Sequence, residues 1–371
     1  MIKLKPLFVL LLMGSVLFAK AQYQFSSNEE LKTAVDAWTS DSLTAATSYG
    51  PISTWDVSQV TSMISLFSNK ESFNSDISSW DVSNVTDMSY MFYKAGVFNS
   101  DISIWDVSNV TTMKFMFYYA NSFMSDISSW DVSNVTNMDH MFYFVSFFNS
   151  DISSWNVSNV TNLSYMFYGA WRFNSDISSW NVSNVTTMKL LFCYSKEFNS
   201  DISGWDVSNV TDMSGMFFNA SSYSIKNYNK LLKAWSLSNL QRDVIFDIST
   251  KYCATEARQK IIDDFGWIIN DGGLASEEEC EEIVTSLFSL TNSVPPLEIA
   301  PNPAQDYINV QWKNNTANIT VLDVTGSVVY TGASIVNSDN CFLDVSEFEK
   351  GVYVLQVQTE LGTSTSRFVK E

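Results

Sequence analysis

The chain has a single histidine, His140, and its four cysteines, Cys193, Cys253, Cys280 and Cys341, include no C-x-x-C pair. That scarcity excludes metal centres built from imidazole and thiolate. There is no histidine–nucleophile pairing, no glycine loop to cradle phosphate and no redox motif. Spacing alone leaves room for a carboxylate pair of the glycosidase kind. The acidic positions recur at a fixed interval, however, whereas an active site needs one asymmetric place. The expectation is a protein that is not an enzyme and needs no cofactor.

Basic residues are also few, 21 against 40 acidic ones, for a formal net charge of −19. A charge of that sign repels nucleic acid and anionic lipid. No apolar run is long enough to span a bilayer. Residues 1–21 read as a secretory signal peptide: Lys3 and Lys5 give the charged start, Leu7 to Phe18 the apolar stretch, and Ala19-Lys20-Ala21 the cleavage site. No cysteine follows for lipid attachment. Removing this segment takes away Lys3, Lys5 and Lys20 and no acid, so the exported product is more acidic still.

What the chain has in abundance is one repeated unit. Trp55, Trp80, Trp105, Trp130, Trp155, Trp180 and Trp205 mark copies of a 25-residue motif close to F-N-S-D-I-S-x-W-[DN]-V-S-N-V-T-x-M-x-x-M-F-Y-x-A. A fixed period of this size predicts stacked coils, because one copy cannot bury its apolar face alone. In the copy at 98–122, Ile102, Trp105 and Val107 belong to an extended stretch, and Val110 opens a second one. Met113, Met116, Phe117 and Ala120 then follow at i, i+3, i+4 and i+7, which predicts a short helix.

The expected order is a helical N-terminal cap at 22–50, seven copies at 51–222, an α/β C-terminal cap at 223–280, a linker at 281–296 and a separate β-sandwich at 297–371. In the first cap, Ser27 and Glu30 are spaced as a capping box ahead of Leu31, Val35 and Trp38. Cys253 and Cys280 bracket one compact segment and are expected to form a disulfide. Such a bridge contributes about 3 kcal/mol on the chain-entropy model. The last segment has short alternating strands such as Tyr307–Val310 and Val352–Val357 between turn residues.

The unit D-I-S-x-W-D-V-S-N-V-T-x-M-x-x-M-F resembles the repeat of BspA-like leucine-rich-repeat bacterial surface proteins over 51–222. The flanks E-E-L-K-T-A-V-D-A-W and Y-C-A-T-E-A-R-Q-K-I-I-D-D-F-G-W-I-I-N-D-G-G are similar to the caps of that family. The resemblance implies an α/β solenoid of leucine-rich-repeat type, with short parallel strands and short helices in each coil. Residues 297–371 resemble a type A sorting domain of the type IX secretion system. Pro301-Asn302-Pro303, Asp323-Val324-Thr325-Gly326 and Lys350-Gly351-Val352-Tyr353 carry the likeness. It implies handling by that secretion machinery, a two-membrane bacterium, and a product at the cell surface or outside the cell.

Each repeated column has a functional and a structural reading. The tryptophans are a sugar-stacking platform if exposed and core if buried, and the flanking Ile and Val favour core. Asp76, Asp101, Asp126, Asp151, Asp176 and Asp201 are a calcium ladder or turn caps, and the lack of a glycine-spaced calcium loop favours caps. The residue after tryptophan is Asp in five copies and Asn at 156 and 181, an interchange that suits an Asx turn and not a metal. The methionine column at 63, 88, 113, 138, 188 and 213 takes Leu163 in one copy, which marks packing. Cys193 replaces Tyr or Phe and reads likewise. Asn84, Asn109, Asn134, Asn159, Asn184 and Asn209 match a glycosylation acceptor, but suit a hydrogen-bonded ladder better.

Specificity belongs where copies differ. The variable link holds Tyr119, Phe144, Phe147, Trp171 and Tyr194 in the middle copies, with Lys94 and Asn219 at the Tyr119 position on either side. Exposed, these residues form a patch for an extracellular protein or glycan. Folded over the convex face, they do not. The two functional expectations are a surface-displayed adhesion or binding module and a structural spacer without a specific ligand.

Overall fold

The computed structural model describes residues 22–280, 297–311, 316–336, 340–359 and 362–371. Ala19, Ala21 and the rest of the expected signal peptide, and the linker at 281–296, lie outside the described residues.

Helices α1 (Asn28–Ser40) and α2 (Ser42–Tyr49) open the chain. The Ser27 hydroxyl accepts from the Glu30 N–H, but the Glu30 carboxylate takes the N–H of Ser26, one residue earlier than a capping box requires. Leu31, Ala34 and Val35 are buried against the first copy. Residues 23–25 add a parallel bridge to that copy, with Phe25 N–H on the Asp56 carbonyl and Asp56 N–H on that of Tyr23.

The copies join by parallel single-residue bridges that step through Ser62, Asp87, Thr112, Asn137, Asn162, Thr187 and Asp212. The backbone of Met113 to Ala120 shows how. The N–H groups of Met113, Phe115, Phe117 and Tyr119 donate forward to the carbonyls of Asn137, Asp139, Met141 and Tyr143, at 2.8–3.0 Å. Those of Met116, Tyr118 and Ala120 close tight turns onto the residue three back. Phe115 and Tyr119 accordingly have φ of 58° and 55°.

The expected α/β solenoid of leucine-rich-repeat type, with a strand and a short helix in each coil, is therefore corrected. Among the described residues, 51–212 hold no α-helix and no strand longer than a bridge, only one 3-10 turn at Ile52–Thr54. Met113, Met116, Phe117 and Ala120 are all buried. A helix and a chain of turns bury the same four positions, so spacing alone does not separate them. What decides is that every second N–H leaves for the next copy instead of staying within a helix.

Regular sheet begins at the last copy. Strands β1 (Met213–Phe217), β2 (Ile245–Ile248) and β3 (Ile268–Asn270) make a small parallel sheet in that order. It packs with α3 (Ile225–Trp235) and α4 (Thr255–Phe265), and α4 ends at Gly266 in the left-handed region. Cys253 and Cys280 are joined by a disulfide beside α4.

The C-terminal region is β-rich. Strands β4 (Glu298–Ala300), β5 (Tyr307–Gln311) and β8 (Asn340–Asp344) form one antiparallel sheet. The other, in the order β10-β9-β6-β7, comprises β6 (Thr316–Asp323), β7 (Val328–Val336), β9 (Gly351–Thr359) and β10 (Gly362–Lys370). They share a core that includes Ile308, Val310, Ile319, Val321, Leu355 and Phe368. Among the described residues, no helix is long and apolar enough to cross a membrane.

Candidate functional site

Most shared residues are committed to holding one copy on the next. Each of the tryptophans that mark the copies, Trp55 to Trp205 at the 25-residue spacing, is at most 4% exposed. In Trp80, Trp105, Trp130, Trp155, Trp180 and Trp205, the indole N–H donates to the isoleucine carbonyl of the preceding copy, at 2.9–3.2 Å. The carboxamides of Asn84, Asn109, Asn134, Asn159, Asn184 and Asn209 donate to a serine carbonyl one copy back. Asp131 and Asn156 alike accept the N–H of the serine two residues on, so charge is irrelevant to that turn. Asp101, Asp126, Asp151 and Asp176 cap their turns in the same way. Among the described residues, no group of three or more His, Cys, Asp or Glu side chains could hold a metal ion.

Three neighbouring columns point outward from the chain of turns, and they are aromatic in the middle copies. Tyr90, Phe115, His140 and Tyr165 stack at centroid distances of 4.7, 4.3 and 4.2 Å. Tyr93, Tyr118, Tyr143 and Tyr168 stack at 4.7, 4.5 and 4.6 Å. Tyr119 and Phe144 form a shorter third column at 5.0 Å. All ten side chains are half-buried. Neighbouring planes within a column are within 14° of parallel. Ring faces are thus spent on one another, and the surface presents ring edges and phenol hydroxyls.

Of the five residues singled out from sequence, the structure brings Tyr119 and Phe144 into this face and sets Tyr194 at its end, 5.6 Å from Tyr168. Phe144 leans into the space left by Gly169, where an added Cβ would meet its Cδ1 at 2.8 Å. Trp171 and Phe147 stand on other columns. Trp171 is exposed and has the Lys196 ammonium 5.0 Å from its ring. Phe147 is exposed and lines a shallow cavity of about 330 Å³ with Met124, Asp126, Ser128, Asn149, Ser150 and Asp151.

Sequence reasoning missed the eight rings of the two longer columns. The signal was present, since positions 90, 115, 140 and 165 carry rings at the repeat spacing, but the shared tyrosines were absorbed into the motif. Burial first, then neighbouring phenols and, for Tyr90, the Asp139 carboxylate, raises the pKa of Tyr90, Tyr118 and Tyr143, so their hydroxyls remain proton donors. Cys193 continues the tyrosine column. Burial pushes its thiol up to about 12.

In the C-terminal region, the Asn302 carboxamide, within Pro301-Asn302-Pro303, accepts the Val369 N–H at 2.8 Å and ties the segment to β10. Gly326 has φ of 83° in the turn after β6, where Asp323 caps the Thr325 and Ser327 N–H groups. Lys233 of α3 pairs with Asp323 at 2.7 Å. Gly351 opens β9, and the Tyr353 hydroxyl donates to the Glu349 carbonyl.

A comparison with curated proteins finds no match. The family described as "Mycoplasma protein of unknown function, DUF285" matches residues 41–153 and 138–251, more than half the chain. The secretion system C-terminal sorting domain matches residues 298–371. The leucine-rich-repeat assignment finds no support in either match. The chain therefore belongs to the DUF285 family, and its type IX sorting tail marks it for export to the cell surface or the extracellular space.

Proposed function

We propose that this protein is an exported binding module, not an enzyme, and that its partner, an extracellular protein or glycan, meets the outward aromatic face of the middle copies. The observation that carries this reading is the division of labour among columns. Shared Trp and Asn side chains, and one carboxylate oxygen of the shared Asp, are committed to contacts between or within copies, whereas the Tyr119 and Phe144 column varies and remains half-exposed. Among the described residues, the hydroxyls of Tyr93, Tyr118 and Tyr143 have no hydrogen-bond partner within the chain, which leaves a row of donors beside apolar ring edges. Aromatic side chains of this kind give large contact area at small entropic cost.

The test uses residues that the chain already places in the same column. Asn69 and Asn219 occupy the Tyr119 position of other copies with φ of 59° and 58°. Tyr119→Asn with Phe144→Asn is therefore compatible with the backbone. The full chain and this double variant are compared on an array of glycans and extracellular-matrix proteins. The expected result is binding by the parent that the variant loses while retaining its melting temperature. Equal binding by both places the contact on another surface and defeats the proposal; no binding by the parent defeats it too and favours a spacer role.

A further inference from the structure

A second surface is singled out by a break in the repeat. In most steps of the asparagine column, the side-chain carbonyl of one copy accepts a backbone N–H of the next. Asn74 accepts from Asn99, Asn99 from Met124, Asn149 from Asn174 and Asn174 from Asn199, each at 2.8 Å. Met124 has no carboxamide to offer. Among the described residues, the Asn149 N–H has no acceptor.

The cavity of about 330 Å³ opens at that step. Met124 and Phe147 are 56% and 55% exposed and give it an apolar wall, unlike the cavity of about 240 Å³ at the intact Asn174–Asn199 step. Asp126 and Asp151 stand at its rim. Each spends Oδ1 on the serine turn that follows, and Oδ2 has no hydrogen bond among the described residues. Arg172, next after Phe147 in its column, is paired with Glu197 at 3.1 Å.

We propose that this notch binds an arginine side chain from an extended segment of a basic protein partner. Its three features match one such residue. The aliphatic stem lies along Met124 and Phe147, the guanidinium reaches the free carboxylate oxygens of Asp126 and Asp151, and the peptide carbonyl accepts the Asn149 N–H. Charge complementarity selects the occupant, since the chain carries a net charge of −19 and the rim adds two carboxylates. The site is independent of the aromatic face and stands or falls separately.

The probe is acetyl-Gly-Arg-Gly-amide, titrated into the full chain by NMR, with the citrulline analogue as the uncharged isostere. The arginine peptide is expected to bind at millimolar concentration and the citrulline peptide not to bind. Met124→Asn restores the missing acceptor without changing net charge. It is expected to hold or raise the melting temperature and to weaken binding about tenfold. Phe147→Ser, which copies Ser72 and Ser122 of the same column, should weaken binding by a similar factor. No binding by the parent overturns the proposal. So does equal binding of both peptides, or unchanged affinity in both variants, which would mean attraction to net charge alone.

Discussion

The indole N–H of Trp130 donates to the Ile102 carbonyl at 3.1 Å, and that same carbonyl closes the turn at Trp105 within its own copy. One oxygen thus shapes a copy and receives the next. This double use explains why the tryptophans are spaced without insertion: a shift of one residue would move the indole away from its acceptor.

Trp130→Phe removes the indole donor but leaves the turn bond in place. The expected loss is about 1 kcal/mol for the hydrogen bond and about 1–2 kcal/mol for the missing ring atoms. Urea denaturation of the full chain measures it.

Deleting residues 126–150 brings Ser125 onto Asp151 and recreates the Ser-Asp-Ile-Ser sequence. The shortened chain is expected to fold with its tyrosine columns one ring shorter. A deletion one residue shorter leaves one copy a residue too long and puts the forward N–H groups at that junction out of step. It should lower the melting temperature by circular dichroism below that of the 25-residue deletion.

Gly169→Ala places a Cβ 2.8 Å from the Phe144 ring in a residue whose φ is +67°. The substitution should cost about 1–2 kcal/mol from backbone conformation alone, with the clash in addition. Phe144→Ala in the same chain relieves the clash but not the backbone term, so the two effects should be less than additive in a double-mutant cycle.

The inward half of each copy was legible in the sequence because Met113, Met116, Phe117 and Ala120 point inward on either backbone. The backbone itself was not. Positive φ at Phe115, Tyr119, His140, Phe144 and Tyr165 is unfavourable for bulky residues taken singly. It persists because each such residue gives its N–H to the next copy or stacks its ring there, and neither contact exists in a single copy. The aromatic face was half-legible for the same reason. Tyr119 and Phe144 stood out by differing from their column, whereas Tyr118 and Tyr143 were hidden by their regularity.

Glu279 has its carboxyl held at about 2, first by the Lys251 ammonium at 2.8 Å and then by the Ser276 N–H. A depressed folded pKa gives a contribution that is complete above the unfolded carboxylate value of about 4.3 and is lost as pH falls toward the folded one. An NMR titration should show a Glu279 midpoint near 2, and Lys251→Ala should return it toward the ordinary range.

Cys253 and Cys280 close a loop across a sequence separation of 27. Replacing both with serine should destabilise the α3–α4 region by about 3 kcal/mol. Buried Cys193, its thiol pushed up to about 12, should stay unreactive to an alkylating agent until the chain unfolds.

Hydroxyl-radical footprinting of the full chain, alone and with the array species that binds it most tightly, tests the central claim most directly. Oxidation of Tyr118, Tyr119, Tyr143 and Phe144 is predicted to fall on binding, while that of the exposed Tyr307 and Tyr330 in the sorting tail stays constant. Protection confined to other surfaces, with the four rings oxidised as in the free chain, would contradict it.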